Sequence, residues 1–441
     1  MSSAVRAALE EQLGRTLKFQ HRFAEALERL DEAKTLLPQD AATDLRRIED
    51  TRANILQHMG RFDDAAGVYD SMLAADPLDM EAHLQLNEIL YRLNRDEQFL
   101  RSYDVAAERI PGNPLPQITK GKFLLKANRI EEAREKFLQA LKISPDHSAA
   151  LAGLARSLEN LRDIESASAA HARNLEIHPE NADALEDYSS FLLRQDDPRK
   201  AITLADTAHR IQPNNQSTLA VLGLCYRALG DEREQALNNY DAFVQVFDLQ
   251  PPSGYADMES FNRDLAAYLH GLHGDKREYF TQTVRGGTRL FDEVFHNGHK
   301  LVDRLRPKII EAVTTYVARL TGPDGHPFLS RRGWGFRYAG SWSSRLNDCG
   351  FHTNHVHTNG WISACYYVAI PDVVEDRAQQ QGWIKFGEPT ADFGPNFTPR
   401  HSVQPKPGRL VLFPSYMWHG TLPFHSPQSR TTIAFDLVPQ S

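Results

Sequence analysis

The chain contains two stretches that differ in their pattern of apolar and polar positions. From about residue 4 to 250, apolar, small and aromatic residues recur with a helical period, in units of similar length. Residues 301–320 then predict a helix with one apolar face. Short apolar or alternating runs follow, which predict strands at 333–342, 361–370, 383–386, 409–413 and 431–438. We therefore expect an α + β protein of two domains, 1–250 and 251–441.

A regular spacing of prolines marks the units of the first stretch. Prolines occur at 38, 77, 111, 145, 179 and 213, and each step after Pro77 is 34 residues. The unit that ends at Pro145 has small or aromatic residues at Gly121, Ala133, Phe137 and Ala140. Small residues allow the two helices of a unit to cross closely, and proline ends the second helix. This spacing predicts seven helix-turn-helix units.

The frame of these units resembles the tetratricopeptide repeat family, over roughly residues 4–250. The resemblance implies an α-solenoid, a superhelix whose concave face binds peptide segments or partner proteins. A dimerisation element or a spacer without a ligand groove would show the same repeats. The array alone therefore predicts no single function.

Composition excludes several classes of protein. The hydrophobic fraction is 41%, the mean hydropathy is −0.49, and no run of 18 apolar residues occurs, which argues against a membrane protein. A formal net charge of −8 gives no general attraction to nucleic acid. The three cysteines have no CxxC spacing, so neither disulfides nor a thiolate zinc site is predicted. Because no apolar leader follows Met1, we expect a soluble cytoplasmic protein, of unknown oligomeric state.

Histidines point to chemistry in the second stretch. Of the 18, seven precede residue 251 and eleven follow it. His355 and His357 stand at i and i+2, so on a strand both rings point to the same face, close enough to share one metal ion. Such a pair is a weak signal alone. It gains weight because a buried-strand pattern at 408–414 leads into His419, and a further strand begins near Arg430.

These motifs, in this order, resemble the 2-oxoglutarate and Fe(II)-dependent oxygenase superfamily over roughly residues 270–441. The stretch 355–368 looks like the corresponding part of the prolyl hydroxylases, while the HxH pair and the RGGT sequence at 285–288 are closer to a bacterial branch of oxygenases. The resemblance implies a double-stranded β-helix, or jelly roll, with flanking helices. It also implies Fe(II), the cosubstrate 2-oxoglutarate and O₂ as cofactors, with hydroxylation as the default reaction.

By this resemblance His355 and His419 are two metal ligands, and His357 stands where the superfamily usually has a carboxylate. Three neutral imidazoles would leave the Fe(II) site one negative charge short of the usual ligand set. Asp348 and Asn354 are alternative third ligands, although neither has the i+2 spacing from His355. No catalytic residue is predicted beyond the metal ligands.

The resemblance further implies that Arg430 binds the far carboxylate of the cosubstrate, with Thr432 beside it on the same strand face. The planar guanidinium of arginine suits a carboxylate better than lysine does. Tyr367 matches a tyrosine that reaches this carboxylate in prolyl hydroxylases, but a core aromatic residue would look the same. Arg345 is a further candidate for the pocket, or a solvated or ion-paired strand residue.

Three functions fit these features. The first is a hydroxylase that acts on a protein or peptide recruited by the repeats; aspartyl/asparaginyl β-hydroxylase, a distant parallel, also joins such repeats to an oxygenase domain. The second is an interaction scaffold with an inactive oxygenase-like domain. The third is a cupin-like dioxygenase that uses three histidines and no 2-oxoglutarate. The presence of Arg430 weighs against the second and third, and the substrate is not predicted.

Overall fold

The first stretch of the chain forms a series of helices, as its helical period predicts. The computed structural model describes residues 2–20, 22–38, 40–273, 282–290, 294–296, 298–333 and 335–440, without the side chains of Phe19 and His296. The helices of this stretch are α1 Ser3–Phe19, α2 Phe23–Leu36, α3 Ala42–His58, α4 Phe62–Ala75, α5 Met80–Arg92, α6 Arg101–Arg109, α7 Leu115–Lys126, α8 Ile130–Ile143, α9 Ser148–Asn160, α10 Ile164–Ile177, α11 Ala182–Arg194, α12 Pro198–Ile211 and α13 Gln216–Leu229.

Small residues make room for an aromatic side chain where α7, α8 and α9 meet. Phe137 of α8 is fully buried, together with the alanines on the same helix face, Ala133 and Ala140. A Cβ atom added at Gly121 would lie 2.8 Å from the Phe137 ring, and one added at Gly153 would lie closer still. The close packing of these helices therefore depends on the missing side chains of the two glycines.

The second helix of the seventh unit is broken in two. It consists of α14 Arg233–Leu237 and α15 Tyr240–Phe243, where the sequence pattern predicts one continuous helix. Asn239 lies between them, and its side chain accepts a hydrogen bond from the N–H of Ala242, at 3.1 Å. This bond caps the start of a second, short helix, so the chain turns at Asn239. A β-strand follows directly after that helix.

Antiparallel sheets form the C-terminal stretch, with the architecture of a jelly roll. The strands are β1 Gln245–Asp248, β2 Val284–Arg289, β3 Phe336–His352, β4 Ile362–Ala369, β5 Ile384–Phe386, β6 His401–Val403, β7 Arg409–Pro414, β8 His419–Thr421 and β9 Arg430–Pro439. One sheet has the order β1-β7-β4-β9-β3-β2 and the other the order β6-β5-β8. The flanking helices are α16 Met258–His273 and α17 Lys300–Arg319. The predicted α + β fold of two domains is confirmed.

The strands that the sequence pattern missed are short or irregular. β6 and β8 have three residues each, too few for an alternating pattern to be visible. β2 contains the RGGT sequence, and its pairing with β3 shifts register between Arg285 and Gly287. Gly286, between them, has a left-handed backbone (φ 65°) that favours glycine. β3, in contrast, continues beyond its predicted end to His352.

The chain divides into two compact units, Met1–Ala170 with His296–His299, and His171–Phe295 with Lys300–Ser441. The second unit thus contains the last repeats together with the sheets. Within it, the guanidinium of Arg227 on α13 donates to the carbonyl oxygens of Gly387 and Thr398, at 2.7 and 2.8 Å. The domain boundary near residue 250 stays a prediction.

Across the described ranges, no helix is both long and apolar enough to cross a membrane.

The packing around Phe137 gives a testable result. We expect Gly153→Ala to lower the free energy of unfolding by about 1–3 kcal/mol, because the added methyl group overpacks the Phe137 site. Gly67→Ala is the matched control, since its added Cβ contacts nothing within 4 Å and alanine raises helix propensity, by up to about 1 kcal/mol. Denaturant unfolding of the two variants measures both effects. Equal stability of the two would contradict this account of the helix packing.

Candidate metal centre

Backbone hydrogen bonds bring three histidines together. His355 lies between β3 and β4, and its N–H donates to the carbonyl oxygen of His419, at 2.8 Å. The N–H of His419, at the start of β8, donates back to the carbonyl oxygen of His355, at 3.0 Å. The N–H of His357 donates to the carbonyl oxygen of Ser415, at 2.9 Å. One ring nitrogen from each histidine lies within 4.8 Å of the other two.

The Nδ1 atom of each imidazole faces a hydrogen-bond acceptor. In His355 and His419 the acceptor is the carbonyl oxygen of the residue two positions earlier, at 2.7 and 2.9 Å. In His357 it is Oδ1 of Asp436, at 2.5 Å. Carbonyl and carboxylate oxygens accept but do not donate, so Nδ1 carries the proton in each ring. In a neutral ring with its proton on Nδ1, the Nε2 atom keeps its lone pair.

Ring nitrogens of the three histidines converge on one small space. The Nε2 atoms of His355 and His357 are 3.0 Å apart. Burial and the neighbouring His357 lower the pKa of His355 to about 3, and burial lowers the pKa of His419 well below its ordinary value. Both rings are therefore neutral near pH 7, the form that binds a metal ion. The three nitrogens fit a divalent cation that takes imidazole ligands, such as Fe(II).

A carboxylate lies behind one of the histidines. Asp436 of β9 is buried, and it accepts a hydrogen bond from the Ser363 hydroxyl at 2.6 Å as well as one from His357. Burial raises the pKa of Asp436, but His357 and Ser363 outweigh this effect and hold the pKa below its ordinary value. The ionised carboxylate orients the His357 ring and makes its Nε2 atom more basic.

A buried arginine lies in the same cavity. The cavity has a volume of about 440 Å³ and is lined by the three histidines together with Arg430 and Thr432. Arg430 is 1% exposed, and its Nε and Nη2 atoms have no hydrogen-bond partner among the described residues. Its guanidinium carbon is 5.2 Å from the ring centre of Tyr367, and within the same ranges the buried Tyr367 hydroxyl has no hydrogen-bond partner either. Because an uncompensated buried charge costs on the order of several kcal/mol, this site calls for an anionic ligand.

Other candidate residues lie apart from the three histidines. Among the described residues, Arg345 is not part of the cavity wall, and its Nε atom donates to the Ser429 hydroxyl, at 3.4 Å. The side-chain amide of Asn354 donates to the carbonyl oxygen of Pro389, at 2.8 Å. Asp348 belongs to a separate, exposed group that includes Cys349 and His425. The alternative third ligands therefore do not join His355 and His419.

Sequence reasoning missed three side chains of the site. Asp436 carries a visible signal, because it is the one acidic residue of strand β9 and interrupts its apolar run, residues 433–438. Trp342 packs on His357 with ring centres 5.5 Å apart, and the guanidinium carbon of Arg289 lies 4.1 Å from the centre of the Trp342 ring. No motif marks these last two, since their positions follow from the pairing of β3 with its neighbours.

Comparison with family models finds two matches. Residues 340–436 match a model described as "Putative 2OG-Fe(II) oxygenase", which spans the strands that carry the candidate metal centre. Residues 51–114 and 118–173 match a model of the tetratricopeptide repeat. The resemblances drawn from the sequence motifs are thus confirmed for both parts of the chain.

Individual proteins are similar to the repeats. A human protein, "Interferon-induced protein with tetratricopeptide repeats 2", is 28% identical over 227 residues, which cover 46% of this chain and 48% of that protein. The chain therefore spans about half the length of this curated relative. Among solved structures, a tetratricopeptide repeat protein from Parabacteroides merdae is 12% identical with a TM-score of 0.37, covering 60% of this chain and 98% of its own. MamA is 16% identical with a TM-score of 0.28, covering 36% and 94%. The chain joins tetratricopeptide repeats in its N-terminal region to a C-terminal domain that matches the 2OG-Fe(II) oxygenase family.

Proposed function

We propose that this protein is an Fe(II)- and 2-oxoglutarate-dependent dioxygenase that hydroxylates a protein or peptide. One observation carries the proposal: a single cavity contains three converging imidazole nitrogens and a buried arginine with two unpartnered nitrogens. The first group suits a divalent metal and the second suits a carboxylate. A ligand with a metal-chelating end and a distant carboxylate satisfies both, and 2-oxoglutarate is such a ligand.

In this proposal His355, His357 and His419 hold Fe(II) through Nε2. When bound, the metal and 2-oxoglutarate supply the oxidation of a substrate C–H bond by O₂, with succinate and CO₂ as the products of the cosubstrate. Arg430 binds the far carboxylate of 2-oxoglutarate, and the Tyr367 hydroxyl is a second donor for it. The protein thus contributes ligands, orientation and a largely buried cavity, without a separate catalytic acid or base.

The repeats suggest the kind of substrate. Tetratricopeptide repeats form a protein-interaction architecture, and stacked repeats present a continuous surface to an extended segment. Because the last repeats lie in the same compact unit as the metal centre, a peptide bound there would be near the site of oxidation. This placement favours a protein or peptide substrate over a free metabolite.

Loss of a proposed ligand should abolish metal binding. We expect His419→Ala to weaken the binding of Fe(II), or of Co²⁺ as a stable substitute, by at least about 100-fold, because only two imidazoles remain. His178→Ala is the matched control, since His178 belongs to neither group of potential metal ligands among the described residues. Anaerobic calorimetry measures the binding, and circular dichroism checks that both variants fold. Unchanged binding in His419→Ala would exclude this site.

Replacement of the arginine should separate cosubstrate binding from metal binding. We expect Arg430→Lys to weaken 2-oxoglutarate binding to the metal-loaded protein at least about tenfold, because lysine offers no planar pair of donors. Metal affinity should stay within about twofold of the parent protein, and Arg345→Lys is the control. Succinate release in the presence of Fe(II), ascorbate and 2-oxoglutarate is measured in parallel.

These measurements also distinguish the competing functions. Metal binding without any 2-oxoglutarate affinity would favour the cupin-like dioxygenase. If neither ligand binds, the chain is an interaction scaffold.

The carboxylate behind His357 should tune the metal site. We expect Asp436→Asn to lower divalent-metal affinity about 10–100-fold, because the amide keeps a hydrogen-bond acceptor but removes the charge. Asp324→Asn removes one charge from a fully exposed position instead and serves as the control. Competition with a chromogenic chelator measures both affinities. An equal effect of the two substitutions would show that only the overall charge of the protein matters.

A further inference from the structure

A second cavity shares a wall with the candidate metal centre. Its volume is about 540 Å³, and two residues directly after His357, Thr358 and Asn359, line both cavities. The other walls come from the last repeats: Asp183 and Glu186 on α11, residues 212–215 between α12 and α13, and Ser217. All these residues belong to the second compact unit. A substrate that fills this cavity would therefore reach the loop that carries His357.

The C-terminal end of helix α11 contacts the segment between β5 and β6. The guanidinium carbon of Arg194, at the end of α11, lies 5.2 Å from the ring centre of Phe393. Its Nε atom is 3.9 Å from a carboxylate oxygen of Asp392. The contacts of Arg227 with the loops at Gly387 and Thr398 add a second attachment, through α13. Two helices of the last repeats are thus attached to the loops of the C-terminal stretch at their C-terminal ends.

The cavity is polar and carries negative charge. Asp183 and Glu186 are its charged residues, and lysine, arginine and histidine are absent from its described lining. The Glu186 carboxylate accepts a hydrogen bond from the Ser190 hydroxyl, at 3.3 Å. Burial and the charges of Asp187 and Asp183 raise the pKa of Glu186 to about 8, with Arg194 opposing the shift. Glu186 is half-buried, and a cation in the cavity would stabilise its ionised carboxylate.

We propose that this cavity binds a lysine or arginine side chain of the peptide substrate, close to the residue that is oxidised at the metal centre. The proposal rests on the proposed function and names its substrate class, a basic peptide. The Asp183 carboxylate, together with Glu186 in its ionised form above about pH 8, selects the positive charge. The amides and hydroxyls around them offer hydrogen bonds to the peptide backbone. Acidic substrates are disfavoured by the same charges.

Binding of matched peptides to the full chain tests this selection. The probes are fluorescein-labelled peptides of alternating alanine and lysine, and counterparts with glutamine or glutamate in place of lysine, followed by fluorescence anisotropy. We expect the lysine peptide to bind and the others to bind at least about tenfold more weakly, which corresponds to one charge-assisted contact. Equal affinity for the lysine and glutamine peptides would overturn the proposal.

Paired substitutions locate the binding. The double variant Asp183→Asn, Glu186→Gln should bind the lysine peptide at least about tenfold more weakly. Glu28→Gln with Asp96→Asn removes the same charge from exposed positions in the first compact unit and should leave its affinity unchanged. Equal losses in the two double variants would show non-specific attraction to an acidic protein, and would overturn the proposal.

The pH dependence adds a readout that a purely structural role would not change. The cation binds the ionised form of Glu186. The affinity of the protein for the lysine peptide should therefore fall as the pH drops from about 8.5 to about 6.5, because binding must then displace a proton from Glu186. Glu186→Gln alone should remove most of this slope, while the charges of Asp183, Asp187 and Arg194 stay in place. A slope that persists in Glu186→Gln would assign the proton to another group and remove Glu186 from the site.

Failure of this inference differs from failure of the proposed function. Metal and 2-oxoglutarate binding are measured on the same Asp183→Asn, Glu186→Gln protein, and both should match the parent protein. If the parent protein binds the lysine peptide but not 2-oxoglutarate, the cavity is a peptide site in a protein that is not an oxygenase. If it binds 2-oxoglutarate but shows no charge preference among the peptides, the enzyme proposal stands and the substrate class is wrong.

Discussion

The backbone bridge between His355 and His419 is the contact on which the candidate centre depends. The two residues are far apart in the chain, and reciprocal hydrogen bonds of their N–H and carbonyl groups place both rings in one cavity. Strand pairing on either side maintains this bridge, since β8 pairs with β5 and β7 with β4. Because side chains alternate between the faces of a strand, a slip of one residue would turn a ligand away from the cavity. The register of the sheets thus determines whether a metal site exists at all.

The negative charge of this centre lies behind a candidate ligand, whereas in a site with a carboxylate ligand it lies on the ligand itself. His355 and His419 are neutral near pH 7, while the carboxylate of Asp436 lies against the Nδ1 atom of His357. A metal bound as proposed would keep more of its positive charge at its open positions, which favours anionic ligands there. Arg430 adds to the same preference. The departure from the usual triad is therefore consistent with a site for a dicarboxylate.

Local patterns predicted much of this molecule, and long-range pairing accounts for what they missed. The 34-residue spacing predicted the repeats because each unit packs mainly on its neighbours, so the same small residues recur at the same positions. The contact of Asp436 with His357 was not predicted, since it depends on how β9 lies beside β4. The sequence motifs favoured Arg430 for the carboxylate and left Arg345 as a further candidate or a solvated or ion-paired strand residue. The structure places Arg430 in the cavity wall and Arg345 on Ser429, a difference that strand register alone decides.

The contacts of the last repeats with the sheets limit how this chain can be divided. The Tyr416 hydroxyl, buried beside the loop before β8, donates to the carbonyl oxygen of Leu237, at 2.7 Å. Strand β1, which follows the repeats directly, forms an edge of the larger sheet. A fragment that starts at residue 251 would lose both and expose an unpaired strand edge, a known cause of aggregation. The last repeats therefore cannot be exchanged without removing contacts of the C-terminal sheets. Only the repeats that precede them could be replaced by another repeat array with these contacts kept.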